Sequence, residues 1–446
     1  MSPRLRISVS GVRGKVPQAL NVEVASRFAS AFATYLDKGK IGFCRDSRPS
    51  SDMLGMAISS SLLAAGLDCV DYGLLPVPFL QFIMGRKNFK GGMAVSGGHN
   101  PEDWNAVVLL GEKGNYLESS EGSEVFNIYE AANFKRVSWK ALGKRRENTF
   151  RMEPYLEKMS TIIDIERIRK ANFKLVSDPC NGVVSNFLQP FADYFNLKLI
   201  SLNNQPGKPF PHPPEPSQEH ASQTEAVVKA TSADFGFLLN SDGSRLSFVD
   251  EKGESLSEEC TLPLCLLSLE NRIRKAITTL STSSLTDWAA EEAGVNLLKT
   301  KVGQSAVVNL MVAEKAGAGG EGSGSFALSS FSLAYDALLS LALVMDLVNR
   351  EEKSLSQLVS SFPVFFMKKL RIEVPPERIY KIMDSLEEAY SGENPDLTDG
   401  IRIIRRGLWF QIRPSTTEFI LRIIIEGKKE KDVDLAEEEI RERMAK

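Results

Sequence analysis

"KIGFCRDSRPSSDMLGMAISSSLLAAGLDCVDYG", Lys40 to Gly73, decides the fold class. An apolar run from Ile41 to Cys44 has strand character, and a polar loop follows it. Leu54, Ala57, Ile58 and Leu62 then recur at the spacing of one helix face, Gly66 stops the helix, and a second apolar run begins. This is a βαβ unit, the building block of an α/β layer fold. The pattern returns in "FKLVSDPCNGVVSNFLQPFADYFNLKLISL", Phe173 to Leu202, where Phe187, Phe191 and Phe195 share a helix face between two strands. Next comes a proline-rich stretch, "GKPFPHPPEPSQEH", which reads as a surface loop that leaves His212 and His220 in solvent. It leads into two strands around Asn240 to Ser244. A third helix-rich α/β segment closes with the apolar helix Ala337 to Leu347, and the last segment is strand-rich through "IRIIRRGLWFQIRPSTTEFILRIIIEG". Its final helix places Ala436, Ile440 and Met444 on one face, and its charged residues form a solvated surface with internal ion pairs. The predicted architecture is three similar α/β domains, 1–150, 151–252 and 253–363, and a smaller C-terminal α+β domain, 364–446.

A chain of 446 residues is too long for one core, which agrees with that division. Lys plus Arg number 54 against 57 Asp plus Glu, so there is no basic footprint for nucleic acid. The five cysteines are odd in number and scattered, as expected of free thiols in a reducing, cytoplasmic setting. No signal peptide is legible at the N-terminus, and the apolar run Ala337 to Met345 is bounded by Asp336 and Asp346, too short to span a membrane.

Each unit carries one loop with chemistry in it. They are Ser96-Gly97-Gly98-His99-Asn100-Pro101, Asn240-Ser241-Asp242-Gly243-Ser244-Arg245, Gly319-Gly320-Glu321-Gly322-Ser323-Gly324-Ser325, and Arg413-Pro414-Ser415-Thr416-Thr417-Glu418-Phe419 with Arg422 beyond it. Arg13-Gly14 and Arg45-Asp46-Ser47-Arg48 precede them. In order and spacing these loops resemble those of the α-D-phosphohexomutase superfamily, the phosphoglucomutases, phosphomannomutases and phosphoglucosamine mutases. The resemblance implies four domains around a central cleft. It also implies a phosphoserine that exchanges its phosphoryl group with a hexose phosphate, one Mg²⁺ held by the phosphate and three aspartates, and fixed cations for the second phosphate. Such chemistry needs a nucleophile, a divalent cation, an acid/base group and a phosphate grip.

Against the family pattern Thr-Ala-Ser-His-Asn-Pro, the phosphoserine position is Gly98. Ser96 carries a hydroxyl, but an extended loop would hold it about 6–7 Å away. The family's acid/base lysine is Val108. The three-aspartate loop keeps only Asp242, with Asn240 and Ser244 at the other two positions. Mg²⁺ prefers carboxylate and phosphate oxygens, so a ligand set of about five negative charges falling to one implies weak or no metal binding. The third loop keeps Glu321 and Ser323, which by resemblance contact sugar hydroxyls, while the histidine position is Ser325. The fourth loop, with Arg413, Ser415, Thr416, Thr417 and Arg422, suits a phosphate dianion. Arg13, Arg45 and Arg245 are expected in the same cleft, and His99 in a structural or ligand-orienting role.

Ordinary readings stand beside these. "NSDGS" is also a good hairpin turn, because Asp-Gly favours positive φ. The expected function is recognition of a hexose phosphate by a monomer or homodimer that has lost or altered the mutase chemistry. The alternatives are an active mutase that uses Ser96 or a bisphosphate cofactor, with Asp242 holding metal, and a purely structural protein whose cleft is closed by a bulky residue such as Phe419.

Overall fold

The computed structural model describes residues 5–8, 11–415 and 420–445. Within Lys40–Gly73, strands Lys40–Arg45 and Asp68–Leu74 pair in parallel and flank the helix Pro49–Ala64. Pro49 occupies the first helical turn, where its missing N–H costs nothing.

The first sheet consists of β1 (Arg6–Ser8), β2 (Gly11–Lys15), β3 (Lys40–Arg45), β4 (Asp68–Leu74), β5 (Gly91–Val95), β6 (Trp104–Leu110) and β7 (Arg145–Glu147). Their order is β1-β2-β6-β5-β3-β4-β7, parallel through β5, β3, β4 and β7 and antiparallel elsewhere. β8 (Lys174–Asp178), β9 (Lys198–Ser201), β10 (Phe235–Leu239) and β11 (Leu246–Val249) form a second sheet in the order β11-β10-β8-β9. A third sheet of β12 (Lys275–Thr279), β13 (Asn296–Thr300), β14 (Ala318–Glu321) and β15 (Ser325–Leu328) runs β13-β12-β14-β15. The fourth, of β16 (Phe366–Glu373), β17 (Ile401–Arg405), β18 (Leu408–Pro414) and β19 (Ile420–Gly427), is antiparallel throughout, in the order β16-β19-β18-β17.

One rule places the four loops. Besides β1–β2 and β17–β18, each sheet has an antiparallel pair of successive strands joined directly, without a crossover helix: β5–β6, β10–β11, β14–β15 and β18–β19. Those connections are the four loops identified in the sequence.

The first three units share a core. Phe79 packs on Tyr155 with ring centroids 4.6 Å apart, and Tyr155 packs on Phe331 at 5.1 Å, joining residues of all three. The Tyr155 hydroxyl donates to Asp336 (2.7 Å), whose other contacts cap the helix Ala337–Glu351. The fourth unit has its own core around Tyr390, Phe410, Ile423 and Ile440. It meets the third through polar contacts. Glu426 accepts from the Ser284 amide (2.8 Å), the Ser283 hydroxyl and the Trp409 indole (2.6 Å), Ser281 donates to Gln411 (2.6 Å), and the Val302 amide donates to Asp399 (3.0 Å). The final helix, Glu430–Ala445, carries the expected ion pairs, Arg441 with Glu437 and Arg443 with Glu439. All five cysteines are free and buried.

Candidate functional site

The first loop does not run extended. Gly98 takes φ +56°, a left-handed value that suits glycine, and the chain folds back so that its amide lies 3.4 Å from the Ser96 hydroxyl. Arg48 holds the fold from beneath. Its guanidinium donates to the Gly98 (3.0 Å) and Asn100 carbonyls and to Ser241 (3.1 Å), while Asp46 pairs with it and accepts the Gly97 amide (2.9 Å). Arg48 is 3% exposed, and a side chain at Gly97 would enter its guanidinium, 2.5 Å from Cζ.

The second loop is a turn closed on itself. The Asn240 amide oxygen accepts the backbone N–H of Ser244 (2.9 Å) and of Arg245 (3.0 Å), which fixes its NH₂ toward Asp242 (2.8 Å). Ser244 donates its hydroxyl (2.7 Å) and its amide (3.2 Å) to the same carboxylate oxygen, and Ser96 donates to the other (3.3 Å). A Cβ at position 98 would stand 3.3 Å from that second oxygen, so the phosphoserine position adjoins Asp242 as the resemblance implies. This donor set does not fit Mg²⁺, which takes oxygen ligands. Asn240 presents N–H rather than oxygen, and Asp242 is engaged by neutral donors on both oxygens. Among the described residues, no three His, Cys, Asp or Glu side chains cluster as metal ligands.

His99 lies among charges from three units. Burial, then the charges of Arg245, Arg13, Arg422 and Arg48, hold its pKa well below the usual histidine range and keep the ring neutral. The arginines that act on it come from the first, second and fourth units. Arg413 and Arg422 are directly opposed on β18 and β19, and Arg371 on β16 opposes Arg422 from the other side. Directly opposed residues share a sheet face, and Arg413 also lies 4.0 Å from Asp399. The Ser415 amide donates to Ile420 (2.9 Å), closing the base of the fourth loop, while Thr416, Thr417 and Phe419 lie outside the described residues.

Glu321 ends β14 and accepts the Gly303 amide (2.7 Å). Burial raises its pKa, against the lowering effect of Arg245, Gly303 and Arg413. Ser323 sits 3.1 Å from Ser325, a hydroxyl pair at the position where the family pattern has histidine. Arg245 reaches Glu215 of the proline-rich loop (3.1 Å). Arg45 turns to Asp52 on the neighbouring helix (3.0 Å), apart from the charges that act on His99, and Arg48 of the same motif takes the inward place.

The sequence reading passed over two tyrosines. Tyr116 feels the charges of Asp242, Arg13 and Glu321, and Tyr335 those of Glu321 and Arg245. Neither carries a motif signal. His212 corrects the expectation of solvent exposure. It is 16% exposed, bonded to Asp178 (3.2 Å) and the Pro213 carbonyl (2.9 Å), and stacked on His220.

Comparison with known proteins accords with the fold. Residues 5–136, 153–253 and 261–365 match the family descriptions Phosphoglucomutase/phosphomannomutase, alpha/beta/alpha domains I, II and III. A phosphoglucomutase/phosphomannomutase of Thermococcus kodakarensis is 31% identical over 94% of each chain. A probable phosphoglucosamine mutase of Pyrococcus horikoshii is 31% identical over 94% of this chain and 93% of that one. Among solved structures, a phosphoglucomutase/phosphomannomutase family protein of Burkholderia thailandensis has the same fold, with a TM-score of 0.85 at 22% identity over 98% of this chain and 97% of that one. The chain belongs to the phosphoglucomutase/phosphomannomutase family of the α-D-phosphohexomutase superfamily, with three α/β/α domains and a small C-terminal domain.

Proposed function

We propose that the protein binds a hexose phosphate in the cleft between its four loops and does not run the phosphoserine route. The observation that carries this reading is Asp242. Donors from Asn240, Ser244 and Ser96 surround its carboxylate, and Gly98 beside it offers no side chain. What supports retained binding is the arginine group around His99, the opposed Arg413 and Arg422, and Glu321 held at the end of β14. The phosphate grip and the sugar contacts are thus assigned to Arg13, Arg245, Arg413, Ser415, Arg422, Glu321 and Ser323. Domain boundaries at 150, 252 and 363 belong to the same proposal, as does a cytoplasmic setting, which the five unpaired cysteines support.

Titration calorimetry with glucose 1-phosphate and glucosamine 6-phosphate, with and without Mg²⁺, tests the reading, followed by a mutase assay primed with the 1,6-bisphosphate. Binding that ignores Mg²⁺, without turnover, is the expected result. Mg²⁺-dependent turnover would overturn it.

One observation favours a second reading, an active phosphotransferase. The folded first loop brings the Ser96 hydroxyl onto Asp242 and within 3.4 Å of the Gly98 amide, beside the place a phosphoserine would occupy. Covalent phosphate on Ser96, read by mass spectrometry after incubation with the bisphosphate, would establish it.

A further inference from the structure

Gly322 stands between Glu321 and Ser323, and nothing in its backbone calls for glycine, since its φ lies outside the left-handed region. Space calls for it. A Cβ at Gly322 would fall 1.9 Å from Glu259 Oε2 and 2.3 Å from Oε1, so the carboxylate of Glu259 occupies the room that a side chain at 322 would need. Glu259 comes from a short turn, Glu258–Cys260, and is 5% exposed. Its Oε2 accepts the Ser283 amide (3.0 Å), and its Oε1 meets Lys369 Nζ at 2.7 Å. Lys369 also reaches Glu258 (2.8 Å). Burial raises the Glu259 pKa, and Lys369 and the Ser283 amide oppose the rise. A buried carboxylate stripped of its cation is costly, so the lysine holds the carboxylate in its place.

Lys369 belongs to the fourth unit. It lies on β16, two residues before Arg371, which opposes Arg422 of the phosphate grip. The contact from Lys369 through Glu259 to Gly322 therefore runs from the strand beside that grip to the loop of the third unit that carries Glu321 and Ser323.

We propose that Glu259, clasped by Lys369, is a positioning residue for the sugar-recognition loop: it buttresses Gly322 from behind and makes the placement of Glu321 and Ser323 depend on the docked position of the fourth unit. The inference rests on the hexose-phosphate reading above. Glu259 touches no ligand in this scheme, so its loss impairs recognition of the sugar while the phosphate grip keeps its affinity.

The experiment compares glucose 1-phosphate with inorganic phosphate as calorimetric probes of the full chain. Glu259→Gln and Lys369→Met are expected to weaken glucose 1-phosphate tenfold or more, roughly the effect of losing one good positioning contact, with inorganic phosphate changed less than about twofold. Gly322→Ala displaces the carboxylate and is expected to behave likewise. The double variant Gly322→Ala/Glu259→Ala removes the collision and should bind glucose 1-phosphate better than Gly322→Ala alone. Equal losses for both probes, no loss for either, or a double variant worse than the single would overturn the proposal. Wild-type protein that binds phosphate but no sugar phosphate would overturn the hexose-phosphate reading and the inference with it. Variants indistinguishable from a wild type that does bind the sugar would overturn the inference alone.

Discussion

Gly98 and Gly322 are glycines for opposite reasons. The first needs a left-handed backbone, and the second needs only the absence of a Cβ where a carboxylate lies. Sequence shows Gly98 as a departure from a family pattern and gives no signal at Gly322, because the cause at 322 is a residue from a distant turn. Asp242 repeats the lesson. Its neighbours Asn240 and Ser244 look like failed metal ligands on paper, whereas in the fold they are hydrogen-bond donors to the one carboxylate that remains. Removing that carboxylate strands the donors. Asp242→Ala is expected to lower unfolding stability by about 2–4 kcal/mol, measured by chemical denaturation, while on the proposed reading excess Mg²⁺ is expected to leave the wild-type melting temperature unchanged. His212 supplies a second test at this scale. Burial alone would lower its pKa, but Asp178, Cys180 and the Pro213 carbonyl outweigh burial and push it up to about 10. A value raised above the ordinary 6.5 means the stabilisation is complete below 6.5 and is lost as pH climbs through about 10. Denaturation midpoints should fall across that window in the wild type and stay flatter in His212→Gln.

At the scale of elements, the strands and helices were legible because their periodicity is local. The βαβ unit at Lys40–Gly73, the aromatic face of Ser185–Phe195 and the apolar helix before Leu347 all stand where alternation and spacing put them. The four loops were legible as motifs. That each joins an antiparallel strand pair was visible only for the second, where two strands flank an Asp-Gly turn, since register and pairing are long-range properties. Side-chain direction was the least legible. Arg45 and Arg48 belong to one motif, yet the first ends β3 and turns to Asp52, while the second sits at the start of the helix Pro49–Ala64 and points its guanidinium under the first loop. Tyr116 and Tyr335 gave no signal because tyrosines near a cleft follow no spacing rule. The proline-rich loop misled in the other direction. Its composition says surface, but Asp178 at the end of β8 draws His212 inward.

For the whole molecule, the contrast lies between two kinds of joint. The first three units are fused through aromatic side chains, and water would have to enter an apolar core to part them. The fourth is attached through carboxylates, amides and an indole N–H, groups that water can satisfy in their place. Glu426→Ala takes the acceptor from the Ser283 hydroxyl and the Ser284 amide at that seam, while the Trp409 indole keeps Ser284 Oγ, so proteolysis under native conditions is expected to cut faster between the third and fourth units. The core of the fourth unit and its circular-dichroism signature should persist. The buried thiols carry a different implication. With Cys44, Cys69, Cys180, Cys260 and Cys265 all inside, a dissolved oxidant meets no cysteine thiol on the folded surface, so thiol oxidation reaches this chain only through molecules that have already come apart, whereas the exposed thioethers of Met53 and Met56 stand open to it.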